Sequence, residues 1–119
     1  MIRLRRHVLH AAVLIGSLAA AGTGSTAFAD ALEEGKAISF DRAKGNCLAC
    51  HLIVGGEAPG TIGPPLVAMQ TRYPDKAKLR AQIWDATVAN PNTAMPPFGR
   101  HEILTEAEID KVVEFIWSL

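Results

Sequence analysis

The sequence predicts an all-α fold of about three to four short helices, and three observations carry that expectation. Near the end of the chain, Ile109, Val112, Val113 and Ile116 recur in steps of three and four, the spacing of one helix face. No stretch alternates with the two-residue period of a half-buried strand. Between the helical stretches, Asn46-Cys47-Leu48-Ala49-Cys50-His51 contains Cys-x-x-Cys-His, the attachment signature of a c-type haem. The helices are therefore expected to wrap around one covalent haem.

The motif's spacing has a chemical reason. Cys47 and Cys50 would add across the two vinyl groups of one rigid macrocycle as thioethers, so their separation must match two fixed points. His51 follows at once and can reach the iron from the same segment, and only a neutral imidazole nitrogen can serve as that proximal ligand. Two other readings of paired cysteines fit less well. A thiol redox pair needs a βαβ context, which the sequence does not show. A structural zinc site needs four protein ligands. Cys47 and Cys50 are the sole cysteines, so sites with three or four cysteine ligands are excluded, and a two-cysteine, two-histidine site would need His101 at an unusual separation.

Residues 1–29 read as a cleaved secretory signal peptide. Arg3, Arg5 and Arg6 form a positive start, Val8 to Ala21 an apolar run, and Ala27-Phe28-Ala29 a small-x-small cleavage site that would leave Asp30 as the first mature residue. A membrane anchor needs about 20 apolar residues, whereas this run has 14 and is interrupted by His10 and Ser17. Arg5-Arg6 resembles a twin-arginine signal, but haem is attached outside the cytoplasm to a chain that must arrive unfolded, which suits the Sec route. The expected destination is the bacterial periplasm. Residues 30–119 would form a single monohaem domain with nine Lys plus Arg against twelve Asp plus Glu, a net of −3. Nothing in that balance suggests nucleic acid as a partner. A polypeptide core of this size is marginal, so the haem is expected to supply much of the apolar centre.

Along the mature chain the first helix is expected over Asp30 to Lys44, with Ala31, Gly35 and Ile38 on one side. A glycine inside a helix costs roughly 1 kcal/mol against alanine, which a closely approaching second helix would offset. Gly45-Asn46 ends that helix just before the haem motif. A glycine-rich loop then leads to Gly63-Pro64-Pro65-Leu66, where the prolines forbid a regular helix or central strand. The Nδ1 proton of an axial histidine needs an acceptor, and the rigid carbonyl of Pro64 is the candidate.

A middle helix is expected over Asp75 to Val88, with Asp75 as N-cap and Leu79, Ile83 and Ala86 buried. Trp84 on it has two readings, core packing or an indole N–H toward a haem propionate. Arg72, Lys76, Lys78 and Arg80 read as a solvated basic face. The stiff stretch Asn90 to Gly99 holds Met95, the best candidate for the sixth iron ligand. A thioether is a soft, neutral ligand that favours ferrous iron. Its competitors are Met69, expected in the core, and His101, expected to be exposed. The last helix opens with the capping box Thr105 and Glu108, and Phe115 and Trp117 widen its apolar face. It should pack across the first helix.

Helix, Cys-x-x-Cys-His, Gly-Pro-x-Leu, methionine loop and terminal helix, in that order, resemble class I cytochromes c. Four stretches are similar to the SoxX family, the small monohaem cytochromes of the bacterial sulfur-oxidation (Sox) system. They are Gly45 to His51, Gly60 to Leu66, Asn90 to Thr93 with Met95 to Gly99, and the ending Phe115-Ile116-Trp117-Ser118-Leu119. The similarity covers essentially all of residues 30–119. It implies a class I cytochrome c-like fold, one covalent haem c, and His51 and Met95 as axial ligands.

It also implies a SoxA-type cytochrome as partner in a SoxAX complex. In that family the complex oxidatively joins thiosulfate to a cysteine of the SoxYZ carrier, an L-cysteine S-thiosulfotransferase reaction whose reacting haem belongs to SoxA. This chain has no third cysteine to offer as a sulfur nucleophile. Its implied part is to accept electrons from SoxA and release them to a downstream cytochrome, with no catalytic residue of its own. One departure from class I cytochromes c is the stretched spacing of Gly35 and Phe40, which bears on first-helix packing and not on the haem ligands. Three other functions compete. A free-standing shuttle to a terminal oxidase would need no permanent partner, a haem enzyme or gas sensor would need an open iron position, and a thiol oxidoreductase would carry no haem.

Overall fold

A computed structural model describes residues 24–119. Among them the chain forms four α-helices and two short 3₁₀ turns, with no strand. The helices are α1 (Gly24–Phe40), α2 (Met69–Arg72), α3 (Lys76–Trp84) and α4 (Glu106–Trp117). None is long and apolar enough to cross a membrane. The positive start and apolar run expected of a signal peptide lie outside the described residues, whereas the expected cleavage site Ala27-Phe28-Ala29 falls in the first turns of α1.

α1 runs from Gly24 to Phe40 instead of Asp30 to Lys44. Upstream, Ala27 and Ala29 are strong helix formers and extend it. Downstream, Asp41 stops it. Its carboxylate accepts from Ala43 N at 2.8 Å and its carbonyl from Asn46 N at 2.9 Å, a turn that competes with the helical ladder. Gly35 is buried against α4, and a Cβ there would stand 2.0 Å from the Lys111 carbonyl oxygen. The glycine thus lets the two helix backbones meet. One turn further on, Phe40 and Phe115 make an edge-to-face pair at 6.0 Å, so Gly35 and Phe40 both serve the α1–α4 contact despite their unusual spacing. Lys111–Glu34 and Lys44–Glu108 ion pairs flank it.

The capping box of α4 forms as expected. Thr105 Oγ1 accepts from Glu108 N at 3.2 Å, and Glu108 Oε2 accepts from Thr105 N at 3.0 Å. Ile109, Val112, Val113, Phe115 and Ile116 are buried on its inner face. Trp117 closes the end of the molecule, donating its indole N–H to the Tyr73 carbonyl at 2.9 Å beneath the Lys76 ammonium.

The middle helix is shorter than its periodicity suggests. Asp75 caps it as expected, accepting from Ala77 N at 2.9 Å, and Leu79 and Ile83 are buried. It stops at Trp84 instead of Val88, because Asp85 takes an extended backbone and its carboxylate caps a separate 3₁₀ turn, Ala86–Val88. Ala86 is fully buried all the same. The basic residues nearby are not one solvated face. Lys76 pairs with Glu114, Arg80 pairs with Glu106 and Asp110, and Arg72 donates to the Pro65 carbonyl at 2.7 Å.

Candidate functional site

Segments from across the fold converge on one cavity of about 240 Å³. Its floor and walls are mainly apolar, with Leu79 and Ile83 of α3 and Val112 and Ile116 of α4 among them. Three loops bring the candidate haem-binding groups to it, Cys47, Cys50 and His51 from the first, Pro64 from the second and Met95 from the third, while Met69 and Arg72 of α2 and Gln82 of α3 also line it.

The first loop is a 3₁₀ turn, Cys47–Ala49, entered through Asn46 in the left-handed region (φ 47°), which asparagine tolerates better than most residues. Cys50 N and His51 N both donate to the Cys47 carbonyl, at 3.2 and 2.9 Å. A 3₁₀ turn eclipses residues three apart, and both cysteines accordingly face the cavity. Burial pushes the Cys47 thiol up from its usual range, against the smaller opposing effect of a Ser39 hydroxyl contact. A wall that disfavours a thiolate suits an uncharged thioether.

The second loop runs alongside the first. Gly60 N, Gly63 N and Leu66 N donate to the carbonyls of Leu48, Cys50 and Leu52 at 2.7, 2.8 and 2.9 Å. At Gly63 a Cβ would stand 2.4 Å from His51 Cε1, so only glycine lets the backbone cross the imidazole face. Directly after it, Pro64 supplies the carbonyl that sits 2.7 Å from His51 Nδ1. A carbonyl can only accept, so Nδ1 is the donor, and in the neutral ring Nε2 is then the nitrogen with a free lone pair. The acceptor expected from the position of Pro64 is thus in contact with His51.

The third loop places half-buried Met95 at the same cavity, its N–H bonded to Thr93 Oγ1 at 3.1 Å. Of its two competitors, Met69 is 1 % exposed and lines the cavity as part of the core. His101 is exposed and does not line it. Trp84 does not line it either and packs on Gly99. Among the described residues no cluster of three or more His, Cys, Asp or Glu is placed to hold a metal ion.

The donor set therefore fits a haem: two sulfurs in an apolar wall, an imidazole oriented through Nδ1, and two thioether side chains within one cavity. Sequence reasoning reached Cys47, Cys50, His51, Pro64 and Met95. It missed the crossing of Gly63 over the imidazole and the hydrogen bonds of Arg72 to the Pro65 carbonyl and, at 3.4 Å, to Met69 Sδ. No local signal marks these, since each depends on how the loops fold back.

Comparison with known proteins agrees with this fold. Residues 30–116 match the family model described as cytochrome c oxidase, cbb3-type, subunit III. A chain in the crystal structure of SoxXA from P. pantotrophus superposes with a TM-score of 0.66 at 33 % identity, over 73 % of this chain and 80 % of that one. A comparison with curated proteins returned no match. A cytochrome c domain implies haem c, which the cavity's residues fit, and a class I cytochrome c-like fold. The chain belongs to this cytochrome c family, and it is a SoxX-like electron-transfer cytochrome.

Proposed function

We propose that the protein is the electron-transfer subunit of a SoxAX-type L-cysteine S-thiosulfotransferase, carrying one covalent haem c in the bacterial periplasm. The observation that carries this reading is the 33 % identity to a chain of the SoxXA structure over most of both chains. Cys47 and Cys50 would hold the haem as thioethers, and His51 and Met95 would bind its iron. Haem c supplies a one-electron iron couple. Pro64 accepts the Nδ1 proton of His51 and so fixes which nitrogen is free to bind metal. Leu79, Ile83, Val112 and Ile116 exclude water from the cavity and favour the less charged, reduced state. Held by His51 and Met95, the iron would exchange one electron without either side chain having to leave.

A SoxA-type cytochrome is the partner. It conjugates thiosulfate to the carrier cysteine of SoxYZ, and this chain takes up the electrons released and passes them to a downstream cytochrome. With Cys47 and Cys50 committed to the haem, the chain has no thiol to act as a sulfur nucleophile. The test is reconstitution with carrier and thiosulfate, omitting each subunit in turn. Conjugation is expected only when both are present. Conjugation by this chain alone, or no binding to its partner, would return it to the second reading.

That second reading is a free-standing periplasmic monohaem cytochrome that feeds a terminal oxidase, and the family-model match is what favours it. Size-exclusion of native extract separates the two, since a shuttle elutes alone.

A further inference from the structure

The loop that carries Met95 is closed at its base by a group that lies outside the cavity. The chain leaves α3 at Trp84 and returns to it, with Gly99 N and Arg100 N donating to the Trp84 carbonyl at 3.0 and 3.3 Å. Gly99 lies flat on the indole, where a Cβ would stand 2.1 Å from Trp84 Cδ2. Residues 85–99 thus form a compact loop with adjoining ends. Pro91, Pro96 and Pro97 lack backbone donors, and the bonds inside the loop are short-range turns, such as Asn90 N to the Ala86 carbonyl at 3.1 Å and Thr93 N to the Asn90 carbonyl at 3.0 Å, which do not join its two limbs.

Beside the junction stands the Asp85 carboxylate, whose side chain is only 9 % exposed. Its Oδ1 accepts from Thr87 N at 3.0 Å and from the Thr87 hydroxyl. Its Oδ2 meets Arg100 Nη1 at 3.1 Å. Arg100 also donates to Thr87 Oγ1 at 3.4 Å, and its Nη2 lies 3.5 Å from His101 Nε2. One buried anion therefore ties the outgoing limb of the loop to the residue that ends the returning limb. Hydrogen bonds to a charged group are the stronger kind, and leaving such a group half-satisfied is costly.

We propose that Asp85 is the positioning residue of the methionine loop, clamping its two limbs through Thr87 and Arg100 so that Met95 stays at the iron. The inference rests on the reading of Met95 as an axial ligand. A thioether is a weak donor to ferric iron, so an added ligand displaces it at the cost of opening the loop. Loosening the clamp lowers that cost and leaves the resting ligation intact.

The experiment is an imidazole titration of the ferric holoprotein, read by its visible spectrum, for Asp85→Asn, Arg100→Gln, their double variant, Met95→Ala and Lys111→Gln. Lys111 pairs with Glu34 on the α1–α4 side and serves as the control. Asp85→Asn is expected to keep the resting spectrum while its apparent imidazole affinity rises about tenfold. Arg100→Gln should do the same, the double variant should exceed neither, and Lys111→Gln should match the parent. Arg100 is exposed, so it carries the test if Asp85→Asn accumulates poorly. An affinity unchanged in both single variants, or raised equally by Lys111→Gln, overturns the clamp. If Met95→Ala leaves spectrum and affinity unchanged, the ligand reading itself fails and the inference with it. An altered Met95→Ala beside neutral clamp variants removes the clamp alone.

Discussion

The His51 imidazole bonds through Nδ1 to the Pro64 carbonyl, and that bond decides which ring nitrogen faces the cavity's chemistry. Met95 and Met69 both reach the same cavity but differ in what holds them. Met69 is enclosed at 1 % exposure, whereas Met95 sits half-buried on a loop. Met95→Ala should therefore open an iron position, seen as new carbon monoxide binding and a lower reduction potential. Met69→Ala should instead cost about 2–5 kcal/mol of stability with no gain in carbon monoxide binding, checked by urea denaturation. The two settings, a core position for Met69 and a stiff loop for Met95, were legible in the sequence, because apolar residues precede the first and prolines follow the second. Asp85 was not legible as a clamp, since its partner Arg100 comes near only once the loop has closed.

At the scale of elements, α4 shows how much a local signal can convey. Thr105 and Glu108 lie three residues apart, so their mutual caps need no tertiary information, and the capping box forms as read. Lys44, adding to the Thr105 contacts, holds the Glu108 carboxyl down from 4.5 to about 2. A depressed carboxylate contributes stability that is present above pH 4.5 and lost as the pH falls through about 2. Acid titration of the folded protein should show that loss between those values, and Glu108→Gln should flatten it while lowering stability at neutral pH. The α3 boundary was misread for the opposite reason. Leu79, Ile83 and Ala86 keep helical spacing across Asp85, so periodicity runs on where a side-chain cap breaks the backbone. Gly35 was legible as unusual, but its function needed α4 in place. Gly35→Val should force α1 and α4 apart. A loss of at least about 2 kcal/mol of stability, measured by thermal unfolding, is expected from overpacking a contact this close.

Over the whole molecule, order along the chain was readable and proximity was not. The loops bearing Cys47, Pro64 and Met95 were identified separately, and the fold supplies the single cavity they share. The start of α1 has one further consequence. The helix continues through Ala27-Phe28-Ala29, the site where we place export cleavage. Cutting there would give the helix a new amino end at Asp30, with Glu33 and Glu34 in its first turn. Before the cut those carboxylates lie well inside the helix. After it they face the positive pole of the peptide dipoles and oppose the new terminal ammonium. If export cleaves the chain there, amino-terminal sequencing of the protein purified from its native source should begin at Asp30. In that processed form Glu33→Gln should cost about 0.3–1 kcal/mol, and the same change in the uncut chain should cost less. Processing would in this way draw Asp30 and Glu33 into the helix's own electrostatic cap, beside a Glu34 already paired with Lys111.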